Sequence, residues 1–326
     1  MFRDNFKENI FLTNTQNFNE KALELFQYQA KENQVYKKYL QLLKRQVKEV
    51  QRIEDIPFLP ISFFKHHPVI STDAPVQITF RSSGTTGLRS THHVNDTAFY
   101  KKISERCFER MYGPLSDYII LALVPSYQEN PHSSLLFMID HFMNISDPIN
   151  SRYIDFTDMK NLPDTLSIPE DKKVLLIGVT YALMESSSLL PDLPQLIIME
   201  TGGMKGRGKE LTREEVHSML KKGFKVETIH SEYGMTELIS QSYSRGEGKF
   251  EAPPWKKILL RDLNDPFLVD TSLRAGGINI IDFGNVDSCS FIATEDLGRI
   301  YQDETFSVIG RIDNSEMRGC NQMIFE

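Results

Sequence analysis

The chain has 326 residues, and its 40% hydrophobic and 25% charged side chains are the composition of a folded protein, which excludes a disordered or collagen-like polymer. A net charge of −7 argues against a dedicated binder of nucleic acid or of an anionic membrane. Three scattered cysteines and an N-terminus without a signal-peptide pattern favour a cytoplasmic protein. The longest apolar run is far below the roughly 20 residues of a spanning helix, so we expect no membrane span.

The N-terminal segment, residues 1–75, is predicted to be helical and to end in a crossing loop. Apolar residues recur near helical spacing from residue 19 to about residue 50, which predicts a helix in two pieces. Pro57 and Pro60 then forbid a continued helix. We therefore expect residues 55–65 to cross as an apolar loop to the next unit.

Short strands alternate with helices in the middle segment, residues 76–245. Thr212 and Glu215 form a capping box at the start of one of these helices. The alternation predicts parallel βαβ units and hence a doubly wound parallel sheet. Strands are predicted at residues 76–80, 118–124, 174–179, 196–199 and 226–230, and helices at residues 95–112, 132–143 and 212–222.

The C-terminal segment, residues 246–326, is predicted to be rich in β-structure. Its strand-like stretches, separated by Gly, Asp and Asn, lie at residues 258–260, 278–283, 290–293 and 306–309. The predicted fold class is therefore α/β, with a helical N-terminal segment, a doubly wound parallel-sheet core and a β-rich C-terminal subdomain.

A loop dense in hydrogen-bond donors follows the strand at residues 76–80. It contains four hydroxyls and two glycines, and an arginine flanks it on each side. Glycines let backbone N–H groups approach an anion closely, and hydroxyls add donors for phosphate oxygens. The loop is interpreted as a phosphate cradle, with a polar turn as the alternative; its residues are Ser82, Ser83, Gly84, Thr85, Thr86 and Gly87.

Two other patterns resemble binding motifs but do not predict a binding site. Residues 203–209 have the glycine and lysine spacing of a Walker loop, but Glu210 stands where that loop needs Ser or Thr. This argues against a P-loop NTPase. The adjacent histidine pairs at residues 66–67 and 92–93 have side chains that need not converge, so they predict no transition-metal site.

Two further stretches carry polar residues suited to a nucleotide. In residues 233–237, Tyr233 offers a flat face for a base, Gly234 a tight turn and Glu237 a hard oxygen ligand for Mg²⁺. An ordinary turn after the strand at 226–230 is the alternative. Further on, Asp296 at a strand end can accept both hydroxyls of a ribose, and Arg311 can reach ribose or phosphate.

In this order these residues resemble four motifs of the adenylate-forming ligase superfamily. Residues 82–87 resemble its phosphate loop and residues 233–237, which include Thr236, its Tyr-Gly-x-Thr-Glu motif; Asp296 resembles its ribose aspartate and Arg311 its hinge-adjacent arginine. The resemblance implies use of ATP and Mg²⁺. It also implies that Gly202 and Gly203, with Tyr233, form walls for adenine and the acyl-adenylate.

The nearer likeness is to the LuxE type of acyl-protein synthetase, which also resembles phenylacetate-CoA ligases. It rests on residues 56–65, residues 133–138 and residues 315–321. The chain ends shortly after Arg311, so the expected fold is the large domain of an adenylate-forming ligase without its mobile C-terminal domain. In the LuxE family a cysteine near the C-terminus carries the acyl group, which implies that role for Cys320.

The resemblance implies ATP-dependent activation of a fatty or other carboxylic acid to acyl-AMP, followed by transfer of the acyl group to a protein cysteine. An acyl reductase or a carrier protein is the implied partner. Two alternatives remain open on the sequence: an acyl- or aryl-CoA ligase of the phenylacetate type, and a catalytically inactive nucleotide-binding subunit that supports a partner. The acyl chain, the final acceptor and the pathway are not determined by these residues.

Overall fold

The computed structural model describes residues 2–83, 87–126, 128–190, 193, 195–202 and 211–312. Over these residues no helix is both long and apolar enough to cross a membrane. The α-helices of the described residues are α1 (Phe2–Glu8), α2 (Phe18–Glu32), α3 (Gln34–Leu42), α4 (Phe63–His66), α5 (Thr97–Tyr112), α6 (Ser134–Ile145), α7 (Phe156–Thr165), α8 (Thr180–Ser186) and α9 (Arg213–Phe224).

The strands in the same part of the chain are β1 (Leu59–Pro60), β2 (Ile78–Arg81), β3 (Thr91–Val94), β4 (Tyr118–Leu123), β5 (Arg152–Tyr153), β6 (Lys173–Val179), β7 (Leu196–Thr201), β8 (His230–Tyr233), β9 (Ser242–Ser244), β10 (Lys256–Arg261), β11 (Ala275–Asp282), β12 (Phe291–Ile300) and β13 (Phe306–Arg311). A 3₁₀ segment, Phe283–Asp287, joins β11 to the chain that leads into β12.

The chain divides into two compact units. Unit 1 comprises residues 1–100, 236–240 and 251–326, and unit 2 comprises residues 101–235 and 241–250. The division into residues 1–75, 76–245 and 246–326 stays a prediction.

Unit 2 is built on a parallel sheet with the strand order β5-β4-β6-β7-β8-β9, in which only the edge strand β9 is antiparallel. Every residue of β4 is buried, as expected for a sheet covered on both faces. Ile119, Leu121 and Leu123 alternate onto one face, where they pack with Leu176 of β6 and Leu220 of α9. The βαβ alternation read from the sequence is thereby confirmed.

Unit 1 contains a mixed sheet in which β1, β12, β11 and β10 are neighbours in that order and β13 pairs with β12. The N-terminal helices pack against it through aromatic rings. Phe18 of α2 stacks on Phe283 with ring centroids 4.5 Å apart, and Phe26 meets Phe291 edge-on at 5.9 Å. Full burial of one such ring contributes about 2 kcal/mol. The predicted helical N-terminus and β-rich C-terminal part are both present.

Some element ends follow local signals, although the second helical piece ends at Leu42 and not near residue 50 as expected. The N-terminal helix breaks into two pieces at Asn33, whose side chain caps α3 by accepting from the Tyr36 N–H. The Thr212 and Glu215 capping box is formed at the start of α9. Such ends depend on residues three positions apart, so they are visible in the sequence.

Several predicted boundaries differ from the observed ones, and residues 55–65, expected to cross as a loop, contain β1 and most of α4. Two of the misplaced strands carry candidate site residues. The strand expected at residues 226–230 lies at His230–Tyr233. Helix α9 ends at Lys225, which has a left-handed conformation, and residues 226–229 are irregular. Pairing with β7 begins only at His230. Tyr233 therefore ends a strand instead of following it. Asp296 is not at a strand end but inside β12, where it is paired with Arg311 of β13.

Candidate active site

The predicted phosphate loop spans a β-hairpin in unit 1. Strands β2 and β3 pair antiparallel up to Arg81 and Thr91. At the base of the loop, the Ser82 N–H donates to the Ser90 carbonyl and the Ser90 N–H donates to the Ser82 hydroxyl oxygen, both at 3.0 Å. The described loop residues between them are exposed, and Gly87 has a φ of +86°, which favours glycine. Gly84, Thr85 and Thr86 lie outside the described residues.

Glu237 is a buried carboxyl of unit 1 and only 6% exposed. Burial raises the pKa of this carboxyl, and hydrogen bonds from the Ser90 hydroxyl and from Glu237's own N–H oppose the shift only in part. The bond from Ser90 joins this carboxyl to the base of the predicted phosphate loop. The positive charge of Lys65 lowers the pKa of Glu237, and the negative charge of Glu295 raises it.

A second part of the unit 1 site lies on the paired strands β12 and β13. Arg311 Nη2 is 3.2 Å from Glu295 Oε2, and Arg311 Nε is 3.8 Å from Asp296 Oδ1. Lys65 Nζ of α4 is 4.0 Å from the other oxygen of Glu295. The Asp296 side chain is 12% exposed and that of Arg311 75% exposed, so a largely buried carboxylate lies beside an exposed cation.

Arg261 is a buried side chain that hydrogen-bonds the backbone of this part of β12. Its guanidinium donates to the carbonyls of Thr294 at 2.6 Å and Ile278 at 2.8 Å, and to the Asn279 side chain at 2.9 Å. Burial lowers the pKa of Arg261, and the charge of Asp296 opposes this shift. A buried arginine with these partners fixes the backbone from which Asp296 projects.

Unit 1 thus contains residues from all four motifs: Ser82 at the base of the phosphate loop, Glu237, Asp296 and Arg311. Among the described residues no group of three or more His, Cys, Asp or Glu side chains could hold a metal ion by itself. Mg²⁺ usually takes one or two carboxylates together with water and substrate phosphates. One buried carboxyl with only partial hydrogen bonding, Glu237, therefore fits a Mg²⁺ that arrives with ATP.

The remaining predicted residues, Gly202, Tyr233 and Gly234, belong to unit 2. Gly202 directly follows β7, and Tyr233 is the last residue of β8. Because Thr201 of β7 pairs with Glu232 of β8, both residues lie at the ends of neighbouring strands. Tyr233 is only 8% exposed, and its ring centroid lies 5.7 Å from that of Phe250. A Cβ on Gly234 would come within 2.4 Å of the Glu232 carboxylate, so a larger residue there would require that carboxylate to shift. Gly203 and Cys320 lie outside the described residues.

A buried carboxylate network fixes these two strand ends. Glu200 of β7 accepts from the hydroxyls of Thr180 at 2.7 Å and Ser231 at 2.9 Å, with His217 and Arg213 within 4 Å. Burial alone would raise the pKa of Glu200, but the contact with His217, the charge of Arg213 and the two hydroxyls lower it to about 2. The Glu200 carboxylate is thus surrounded by hydrogen-bond donors and positive charges of the protein, and its role is to stabilise these strand ends.

His92 is a buried side chain of unit 1 that the sequence did not connect with the site. Its Nδ1 lies 2.9 Å from the Thr236 carbonyl oxygen, and its Nε2 lies 3.0 Å from the Ser288 hydroxyl. Burial lowers the pKa of His92 to about 4, against opposing effects of the Thr236 bond and the charge of Asp287. Neighbouring His93 points to the other face of β3, towards Thr79.

The pKa of His92 predicts a loss of stability in acid. Because the folded state holds the pKa at about 4, the unfolded chain binds more protons between pH 6.5 and 4, and stability falls as the pH falls through that window. Between pH 7 and pH 4 the loss amounts to about 3 kcal/mol for this one group. Urea unfolding of the wild type and of His92→Gln at both pH values measures it. Equal acid sensitivity of the two proteins would contradict the assignment.

Sequence reasoning also missed Ser90, Lys65 and Glu295 as members of the site. Lys65 belongs to a stretch that resembles the family, but the pattern gives it no partner. Its proximity to Glu295 follows from the pairing of β1 with β12, in which Pro60 lies beside Ala293. That pairing joins residues more than 200 positions apart, and no local signal announces it.

The solved structures similar in fold to this chain include two adenylate-forming ligases. A 2-hydroxyisobutyryl-CoA ligase in complex with 2-HIB-AMP and CoA aligns over 94% of this chain and 71% of its own, with 12% identity and a TM-score of 0.69. ATP-bound MatB from Rhodopseudomonas palustris aligns over 74% of this chain and 49% of its own, with 14% identity and a TM-score of 0.53. At these identities the likeness shows the fold alone. The chain spans about half the length of the MatB structures.

The model of one protein family, LuxE acyl-protein synthetase, matches residues 11–326. The chain therefore belongs to the LuxE acyl-protein synthetase family. This confirms the resemblance drawn from the motifs and the mixed α/β fold with parallel-sheet regions that it implied. The comparison with curated proteins found no match.

Proposed function

We propose that this protein activates a carboxylic acid as acyl-AMP at the expense of ATP and passes the acyl group to a cysteine thiol. The observation that carries the proposal is the hydrogen bond between Ser90 and Glu237, which joins the base of a donor-rich loop to a buried carboxyl in unit 1. A triphosphate needs both kinds of group, since its charge must be met by donors and by a coordinated cation. Membership of the LuxE family supports the same chemistry.

In this proposal residues 82–87 bind phosphates through backbone N–H groups and hydroxyls. Glu237 holds Mg²⁺, which neutralises phosphate charge when bound. Asp296 accepts the ribose hydroxyls, and Arg311 contacts ribose or phosphate. Gly202, Gly203, Tyr233, Gly234 and Thr236 remain assigned to the nucleotide by the resemblance. The chain's contribution to the first step is positioning and charge neutralisation while the acid's carboxylate oxygen attacks the α-phosphorus and pyrophosphate leaves.

The substrate is proposed to be a fatty acid and the acceptor a protein thiol that feeds an acyl reductase or a carrier protein. Exchange of labelled pyrophosphate into ATP, measured with a panel of carboxylic acids, tests the first step. For fatty acids the apparent affinity should rise about fourfold per methylene over a short range, since burial of each CH₂ contributes about 0.8 kcal/mol.

The panel separates the proposal from its rivals. Equal exchange with acetate and with long-chain acids would remove the fatty-acid assignment. Absence of exchange with every acid would favour a nucleotide-binding subunit without catalysis. AMP formation that depends on CoA, with no acyl label on the protein, would favour a CoA ligase of the phenylacetate type.

A further inference from the structure

The backbone that carries Glu237 is held by buried polar side chains along its length. The carbonyl of Thr236 accepts from His92 at 2.9 Å, and the carbonyl of Glu237 accepts from the Asn285 side-chain amide at 2.7 Å. The same Asn285 accepts from the Ile239 N–H at 2.9 Å. Further along, Asp282 accepts from the Ser240 N–H, and Lys256 donates to the Ser240 carbonyl, both at 2.9 Å.

The directions of these bonds are fixed by chemistry. A carbonyl oxygen only accepts, so Nδ1 of His92 carries the proton and Nε2 accepts from the Ser288 hydroxyl. The Asn285 amide nitrogen donates to the carbonyls of Glu237 and Cys289 while its oxygen accepts from Ile239. Both side chains are almost wholly buried, at 2% and 1% exposure, so neither can exchange these partners for water.

The N-terminal helices hold the same 3₁₀ segment from outside. Gln29 of α2 donates to the carbonyls of Asn285 and Val286, and its side-chain oxygen accepts from the Ser290 N–H. Asn33 donates to the carbonyl of Ser288 at 2.9 Å. Asp287 receives Arg3 and Lys7 of α1 at distances of 2.5 and 2.6 Å. Residues 285–290, which include the Asn285 that binds the Glu237 carbonyl and the Ser288 that binds His92, are thus held by the N-terminal helices.

We propose that His92 and Asn285 are positioning residues for the Mg²⁺-binding carboxylate of Glu237, an inference that rests on the proposed function. His92 binds the carbonyl of Thr236, which precedes the Cα of Glu237, and Asn285 binds the carbonyl of Glu237, which follows it. These two bonds hold the backbone from which the Glu237 side chain extends, and Ser90 contacts the carboxyl itself. Side chains that orient a metal ligand commonly affect metal affinity or activity by about tenfold to a hundredfold.

The test uses three variants of the full chain. His92→Leu removes the bond to Thr236, His92→Gln restores one donor and one acceptor, and Asn285→Asp removes the donor to Glu237 while keeping its shape. His230→Gln is the matched control, because His230 also has a pKa lowered to about 4 mainly by burial, but it contacts Tyr112 in unit 2. Melting temperatures establish that each variant folds.

Two readouts are expected to change together. In the protein without ligands, backbone amides of residues 236–241 should exchange hydrogen faster in His92→Leu and Asn285→Asp than in the wild type or His92→Gln. In pyrophosphate exchange, the Mg²⁺ concentration for half-maximal rate should rise about tenfold or more in the same two variants. The KM for the acid should stay unchanged, and His230→Gln should alter neither readout.

The outcomes distinguish this inference from the proposed function. An active wild type whose two variants keep their Mg²⁺ dependence would overturn the positioning role alone, as would an equal effect of His230→Gln. A wild type without any pyrophosphate exchange would overturn the proposed function and the inference with it.

Discussion

Replacement of Glu237 by glutamine should lower the rate of adenylate formation by at least about a hundredfold, the effect expected when a charge-stabilising group is lost from an active site. Glutamine keeps the shape of the side chain and can still accept from Ser90, but a neutral amide is a poor ligand for Mg²⁺. The fold should survive, because the carboxyl is buried with a raised pKa and the variant introduces no unpaired charge. Pyrophosphate exchange at saturating acid measures the loss.

Glu237→Asp is the matched variant, since it keeps the charge and shortens the side chain by one methylene. It should retain part of the rate and should respond to added Mg²⁺, whereas Glu237→Gln should not. Adenylation by Glu237→Gln at the wild-type rate in Mg²⁺ would show that the metal is held elsewhere.

Several features of the fold were predictable because they depend on neighbouring residues. The capping box at Thr212 and Glu215 and the helix break at Asn33 each involve contacts three residues apart. The apolar run of β4 was recognisable as a strand because both faces of a parallel sheet are buried. Local propensity and burial pattern agree at these positions.

The misplaced strands show where local reading ends. Ile229 and Val226 are apolar and suggested a strand, but they pack on the unit 2 core from an irregular segment. The position of β8 is set by its pairing with β7, in which Met199 lies beside His230. Likewise β12 extends through Asp296 because β13 supplies partners for it. Pairing partners decide strand ends, and the sequence pattern does not contain them.

The candidate site residues were proposed from the sequence, whereas the residues that support them were not. Ser82, Glu237, Asp296 and Arg311 belong to short stretches with recognisable residue types. His92 was noted only as one of a histidine pair, yet strand alternation sends its ring inward, where it meets Thr236, 144 positions away. Contacts at such separations depend on tertiary structure, so supporting residues of this kind escape sequence reasoning.

Two of the three cysteines are poor candidates for an acyl carrier. Cys107 is 4% exposed and Cys289 is fully buried. Burial raises the pKa of Cys289 to about 12, although a hydrogen bond with the backbone of Phe291 opposes the shift. The thiolate is the nucleophile, so a buried thiol with a raised pKa reacts slowly. The third cysteine, Cys320, lies outside the described residues, between Gly319 and Asn321 in the sequence.

Cys320→Ser should abolish a hydroxylamine-sensitive acyl label on the protein while pyrophosphate exchange continues at the wild-type rate. In the proposed step the Cys320 thiolate attacks the acyl carbon of acyl-AMP, a C–S bond forms, the bond to the phosphate oxygen breaks, and AMP leaves; the thiol proton goes to solvent. Arg318 would favour the thiolate through its positive charge. Incubation with ATP, Mg²⁺ and labelled fatty acid, followed by hydroxylamine treatment, measures the thioester.

Cys107→Ala is the control and should keep the label. Equal labelling of the wild type and Cys320→Ser would eliminate Cys320 as the carrier, whereas exchange without labelling separates the two half-reactions and assigns the second to this thiol.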